Sequence, residues 1–426
     1  MTSSSGASIG RLTGRDGRRW PRRPWRSVLA RGAIAAVVAL GASASPAWSD
    51  DLPPGLPETG CTGPTLLESG AKGVFCVPAN WNHQLVLFAH GYSDPATPPS
   101  FQNLDTPLGG TTVPKLVTSL GYAFAATTYR DSGLAIATGA ADLIELRRAF
   151  IADHPDVART YATGVSEGGL VVARLAERRR SVTGVDGALS ACGPIGSLKK
   201  QLDHFGDFRV LFDVFFPGLL PRWTPKAETI PPEVIAGWRS GALKQAVIAA
   251  LARALADPEI RARVAALLAT SQLTVDTEDP EAVGRAVLEV LDYNVVGTND
   301  AIAKLGGNPF SNLLRWYSGT GSFATDLLVN RQVARFAPDP TALLTLALRY
   351  ETTGRLKVPL VSLHTSGDHV VPAWQQRLYA AKARLAGRRR LFTAMPLVDR
   401  FGHCVFTPQE VLAAFNTLVA AASVHR

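Results

Sequence analysis

The stretch Ala162-Thr163-Gly164-Val165-Ser166-Glu167-Gly168-Gly169 constrains this chain more than any other. It fits the pattern G-x-S-x-G, with Ser166 at the centre and small residues where a tight turn needs them. Val157 to Thr163 ahead of it reads as a short strand, and Gly169 to Arg180 behind it as a helix. A serine on such a strand-to-helix turn is lifted out at the top of a parallel sheet, open to a base and a substrate. So short a pattern also arises by chance. The test is whether an acid, a histidine and a loop of hydrogen-bond donors fall at matching places.

The text around the turn alternates between strand and helix. Gln84 to Ala89 is a continuous apolar run, as in a strand covered on both faces, and it stops at His90-Gly91-Tyr92. Val74–Val77, Tyr122–Thr127 and Val185–Ala191 predict further strands. Thr112–Leu120 and Thr138–Asp153 predict helices, the second with Leu143, Leu146, Ala149 and Phe150 at helical spacing. Such alternation specifies an α/β protein, a mostly parallel sheet covered by helices. It breaks from about Ile195 to Arg355, where Ala- and Leu-rich stretches such as Leu243–Leu255 and Ile260–Ala269 read as helices. A structureless connection of that length is not found in a compact domain. Residues 195–355 are therefore expected to be a helical cap insertion between core segments 50–194 and 356–426. Its aromatics, among them Phe205, Phe208, Phe212, Trp223 and Trp238, are expected to pack the insertion's own core. The sheet resumes at Val358–His364, followed by a helix over Ala373–Ala386, a strand over Arg390–Thr393 and a last helix over Pro408–Ala421.

A net charge of +9 points first to nucleic acid. Its position removes that reading: residues 1–49 hold eight arginines and one aspartate, which leaves only +2 for the rest. Those residues read as an export signal, with a basic run through Arg18–Arg26 and an apolar run from Gly32 to about Ala44. Small residues follow, offering cleavage after Ala47 or Ser49. The mature protein is expected to be periplasmic or extracellular, with no stable membrane insertion after cleavage and no nucleic-acid partner. Export permits disulfides. Cys61, Cys76, Cys192 and Cys404 allow three pairings, and a local Cys61–Cys76 staple would leave Cys192 with Cys404. No zinc-ligand spacing and no phosphate-loop or dinucleotide glycine pattern is present, so no metal or cofactor is expected.

A serine hydroxyl needs a base to take its proton as it attacks, and a carboxylate behind that base fixes its tautomer. Ser166, Asp368 and His403 follow one another in the order serine, acid, histidine, each just past a predicted strand. A tetrahedral oxyanion needs donors. The backbone N–H of Glu167, directly after the serine, is one candidate, and that of Tyr92 in the His90-Gly91-Tyr92 loop is the other. Other groups have plainer readings. His90 shapes that loop, His364 is a buried structural histidine, and the Glu167 carboxylate favours a helix dipole. Asp142 and Glu145 read as solvated or capping charges. His369 is the rival base, and Asp399, four residues before His403, the rival acid.

Taken together, Trp81-Asn82, Leu87-Phe88-Ala89-His90-Gly91-Tyr92, Gly164–Gly169, Leu363–Pro372 and Gly402-His403-Cys404 resemble the α/β-hydrolase superfamily, and in particular its secreted bacterial serine esterases. The resemblance covers roughly 60–195 and 355–425 and implies the fold and a Ser/Asp/His hydrolase. Cys404 is similar to the cysteine that follows the catalytic histidine in tannase- and feruloyl-esterase-like enzymes, where it bridges to a cysteine beside the nucleophile. Val165 stands at that position here, which makes Cys192, past the next strand, the substitute partner for Cys404. The expected activity is hydrolysis of a carboxylic ester, small or polymeric, through an acyl-enzyme on Ser166. A peptidase using Asp203, Asp207 and Asp213 to hold a free amino terminus is the first rival, and a non-catalytic binding protein the second.

Overall fold

The computed structural model describes residues 51–226 and 228–424; the expected export signal over 1–49 lies outside them. The strands are β1 (Cys61–Leu66), β2 (Lys72–Cys76), β3 (Gln84–Ala89), β4 (Ala123–Thr127), β5 (Arg159–Val165), β6 (Gly187–Ala191), β7 (Leu360–Leu363), β8 (Thr365–Gly367), β9 (Phe392–Ala394) and β10 (Val398–Phe401). Eight form one sheet in the order β1-β2-β4-β3-β5-β6-β7-β9. β1 with β2 and β2 with β4 are antiparallel, and every later pair is parallel.

β3 sits in the interior because both of its faces are apolar. Leu85, Leu87 and Ala89 enter the core beneath the helices Ile136–Asp153 and Glu167–Ala176. Val86 packs on the opposite face with Phe415 and Leu418 of the helix Pro408–Val424. Each fully buried Leu or Phe in these layers stabilises the fold by about 1.5–3 kcal/mol. From β3 the chain adds β4 on one side and then crosses to place β5 on the other. Open α/β sheets bind ligands at such a reversal, beyond the carboxyl ends of the strands.

Two features depart from expectation. β1 has no apolar alternation to announce it: Thr62, Thr65 and Leu66 are exposed, and its pairing to β2 is irregular between Thr62 and Thr65. It is an edge strand, which tolerates Pro64. Asp142 is fully buried rather than solvated, its carboxylate taking the Arg130 backbone N–H at 2.8 Å and Nε at 2.7 Å. Glu145 accepts from the Ser69 backbone N–H at 3.0 Å.

Between β6 and β7 the chain is mostly helical. Phe208, Phe212, Trp223 and Trp238 pack with Leu267, Val287 and Leu291 in a separate apolar cluster. The longest helix, Pro280–Leu305, starts at Asp279, whose side chain caps the Glu281 N–H, and stops at Gly306 at φ 78°. Its first half belongs to the cap cluster, whereas Ala301 and Leu305 belong to the core of the sheet. Asp300 receives the Leu134 N–H at 2.7 Å, and Lys304 reaches the Ser132 carbonyl. One helix thus bolts the cap to the loop that precedes Ile136–Asp153.

Candidate active site

β5 ends at Val165, and the helix Glu167–Ala176 begins after a single intervening residue. Ser166 makes the turn alone at φ 53°, ψ −123°, a conformation that side chains rarely adopt and that marks strained, functional positions. The turn closes because its flanks lack side chains. A Cβ on Gly164 would stand 2.1 Å from the Gly168 carbonyl oxygen, and one on Gly168 2.1 Å from the Ala89 carbonyl oxygen. The spacing of glycines is therefore dictated by backbone approach between β3, β5 and the helix.

Asp368 and His403 arrive on a strand pair that sequence patterning does not reveal. β8 and β10 are four residues or fewer, yet they pair in parallel, with Phe401 opposite Gly367. Asp368 follows β8 and His403 lies two residues past β10, so this pairing sets them side by side. His403 Nδ1 lies 2.8 Å from Asp368 Oδ2, and its Nε2 2.9 Å from Ser166 Oγ. The other carboxylate oxygen of Asp368 accepts the Val370 and Val371 N–H groups at 3.0 and 2.8 Å. His364 is buried, and its Nε2 is 2.6 Å from the Val371 carbonyl, bracing that cradle. The rivals are engaged elsewhere: Asp399 with Ser366 Oγ at 3.1 Å, His369 with Glu289 at 2.5 Å.

Burial acts against charge on both partners, and their mutual attraction outweighs it. For Asp368, desolvation pushes the pKa up, but the His403 imidazole, its hydrogen bond and the Val371 N–H bring the net below the usual carboxylate value. For His403, desolvation pulls the pKa down, but Asp368 and, further off, Glu289 carry the net above the usual 6.5.

β3 and β5 run level, Ala89 opposite Gly164, so the loop after β3 meets the serine. A Cβ on Gly91 would lie 3.3 Å from Ser166 Cβ. The Gly91 N–H is taken by Asn103 Oδ1 at 2.9 Å, which leaves the Tyr92 N–H as the loop's next donor. The Glu167 N–H begins a helix and has no intrahelical acceptor. The Glu167 carboxyl does more than favour a dipole. It is buried, accepts the Ala135 N–H at 2.9 Å, and desolvation raises its pKa to about 8. His90 stacks on Tyr129 at 3.9 Å between centroids, with Nδ1 2.7 Å from the Gly91 carbonyl.

Two disulfides are present, Cys61–Cys76 and Cys192–Cys404. The second joins the end of β6 to the residue after His403, and both of its cysteines have positive φ, 49° and 57°. Cys192, His403 and Cys404 cluster closely enough to suggest a metal site, but both sulfurs are spent in the bridge and offer no thiolate. Replacing both Cys192 and Cys404 with alanine opens a loop spanning 212 residues. Chain-entropy arguments put the loss at up to about 5 kcal/mol, so a denaturant midpoint well below that of the parent is expected. Native protein should titrate no free thiol, and two or more would contradict the pairing.

The serine turn at the sheet reversal, with the acid after β8 and the histidine after β10, decides the fold. The chain has an α/β-hydrolase fold. No family model matches the chain, and no curated protein matches it either. Among solved structures, this chain is similar to an esterase from Pyrococcus furiosus, at 12% identity over 84% of this chain and 86% of that one, TM-score 0.39. The rice cell wall degrading esterase LipA from Xanthomonas oryzae, ligand-bound, is 14% identical over 83% of each chain, TM-score 0.37. The acylaminoacyl peptidase of Pyrococcus horikoshii is 13% identical over 82% of this chain, TM-score 0.39, and the likeness spans 38% of the peptidase's length.

A cavity of about 80 Å³, walled mainly by apolar groups, opens beside Ser166 between sheet and cap. Phe205 and Tyr293 stack at 4.9 Å and 8° on its cap side. A second, more polar cleft reaches His403 from the side of Asp276, Glu289 and Val405. Tyr293 had no distinguishing mark in the sequence, nor had Asn103, which lies in an irregular loop; only the fold brings them here. Among the described residues, no helix is long and apolar enough to cross a membrane.

Proposed function

We propose that this chain is an exported serine hydrolase that cleaves carboxylic esters through an acyl-enzyme on Ser166. The observation that carries the reading is the unbroken line from Asp368 through His403 to Ser166 Oγ, ending at an apolar cavity. As Oγ attacks the ester carbonyl, His403 Nε2 takes its proton and Asp368 holds the imidazolium that forms. The Tyr92 and Glu167 N–H groups face the oxyanion. Collapse expels the alcohol, which takes the proton back from His403, and water then repeats the sequence on the acyl-enzyme. The apolar cavity suits the acyl group and the polar cleft by His403 the alcohol. The two disulfides and the basic-then-apolar N-terminus support export.

Ester is favoured over peptide by the fate of the carboxylates that would hold an amino terminus. Asp203 is paired with Lys199 and Arg315, Asp207 with Tyr317 and Arg315, and Asp213 with Arg209 and the Trp223 N–H. A p-nitrophenyl acyl ester assayed beside an aminoacyl p-nitroanilide separates the two. Ester turnover at least a hundredfold above the amide, in kcat/KM, is expected; faster cleavage of the amide would overturn the ester reading.

A further inference from the structure

The cavity beside Ser166 contains a buried polar atom whose position the protein's own bonding does not explain. The Tyr92 hydroxyl is buried and has no hydrogen-bond partner among the described residues. A buried hydroxyl without a partner costs about 1–3 kcal/mol, and such groups in native proteins call for a reason. Gln201, Asn294, Thr298 and Asn308 on the same wall are hydrogen-bonded within the protein. Gln201 Nε2 donates to the Val370 carbonyl at 2.6 Å, Asn308 Nδ2 to the Phe310 carbonyl at 3.3 Å. Thr298 donates to the Asn294 carbonyl at 2.5 Å, and Asn294 Oδ1 accepts from Arg209 at 3.4 Å.

The cap helix makes room for that hydroxyl. Tyr293, Gly297 and Ala301 recur at four-residue spacing along Pro280–Leu305, so one stripe of the helix lines the cavity. At its centre there is no side chain, and a Cβ on Gly297 would stand 3.2 Å from the Tyr92 hydroxyl oxygen. The Tyr92 ring leans on Tyr293 at 5.7 Å, which fixes where the hydroxyl points. The same residue offers its backbone N–H to the reacting carbonyl and its hydroxyl to the cavity, one side chain's length deeper.

We infer that the Tyr92 hydroxyl is a specificity-determining donor for esters whose acyl chain carries a hydrogen-bond acceptor several bonds from the scissile carbonyl. The inference rests on the ester-hydrolase reading and deepens it. A plain alkyl chain leaves the hydroxyl buried and unpaired, whereas an oxo group within reach satisfies it, and sites built to bond a polar group discriminate strongly against its absence. Burial holds the phenol pKa well above 10, so the hydroxyl keeps its proton and donates.

The test compares kcat/KM for p-nitrophenyl hexanoate with that for its 4-oxo and 5-oxo counterparts, in wild type and Tyr92→Phe. Taking the oxo-to-alkyl ratio within each protein, and comparing it between proteins, cancels the intrinsic reactivity of each ester. For at least one oxo ester the wild-type ratio should exceed the Tyr92→Phe ratio about tenfold. Equal ratios in the two proteins overturn the inference. Should Tyr92→Phe fail to fold, Gly297→Ala carries the same test by crowding the hydroxyl, with the ratio expected to fall at least threefold and an unchanged ratio overturning the inference. Wild type that hydrolyses none of the three esters contradicts the ester-hydrolase reading itself, a result distinct from turnover without preference.

Discussion

Ser166→Ala is expected to lower kcat for ester hydrolysis on the order of 10⁵–10⁶-fold while leaving the fold in place. Oγ donates its proton toward His403 Nε2 at 2.9 Å, and among the described residues no other hydroxyl is held against that nitrogen, whose further neighbour is the disulfide sulfur of Cys404 at 3.4 Å. Alanine preserves the turn's backbone and both N–H donors, so a residue of catalysis from oxyanion binding alone should persist above the uncatalysed rate. Alanine at φ 53° is as strained as serine, so thermal unfolding should move little. Loss of activity with an unchanged melting curve is the expected pair of results. Loss of both would mean that the serine serves structure first.

Asp368→Asn should cost about 10⁴-fold in kcat, for a reason that the cradle makes specific. The Val370 and Val371 N–H groups both point at Oδ1, so the amide oxygen of asparagine must occupy that side. Its NH₂ then faces His403 Nδ1, which has to accept. The imidazole is driven into the tautomer that carries its proton on Nε2, and that nitrogen can no longer take one from Ser166. The pH profile should change as well. Catalysis needs the neutral imidazole, so kcat/KM rises as pH passes upward through the His403 pKa. With Asp368 in place that limb lies above the usual 6.5. Without the carboxylate, burial prevails and the residual activity of the variant should have its acid limb at lower pH. A limb that stays where it is in wild type would show that Asp368 does not act through His403.

The core of the fold was legible because its strands are buried on both faces and carry continuous apolar runs. Gln84–Ala89 and the Gly164–Gly169 turn left little choice, since the turn's glycines answer to backbone contacts of about 2 Å that no other residue allows. Ser166, Asp368 and His403 were readable from their order in the chain, although the strands that Asp368 and His403 follow, β8 and β10, were not among those predicted. What escaped was whatever depends on distance in space alone. β8 and β10 are too short to have a period, so the pairing that sets Asp368 beside His403 had no local signature. Asp142 looked like any helix charge until Arg130, twelve residues earlier, turned out to lie over it. The cap's helices were visible as composition, but the cavity wall they supply is made of residues that match no motif, Gly297 and Tyr293 among them.

The central claim is that Ser166 is an activated nucleophile. Incubating folded wild type with a fluorophosphonate and mapping the adduct by peptide mass spectrometry addresses it directly. One adduct, on the peptide that contains Ser166 and absent from Ser166→Ala, is the result expected from the 2.9 Å contact with His403. A folded wild-type protein that takes up no label, or label that persists in Ser166→Ala, would contradict it.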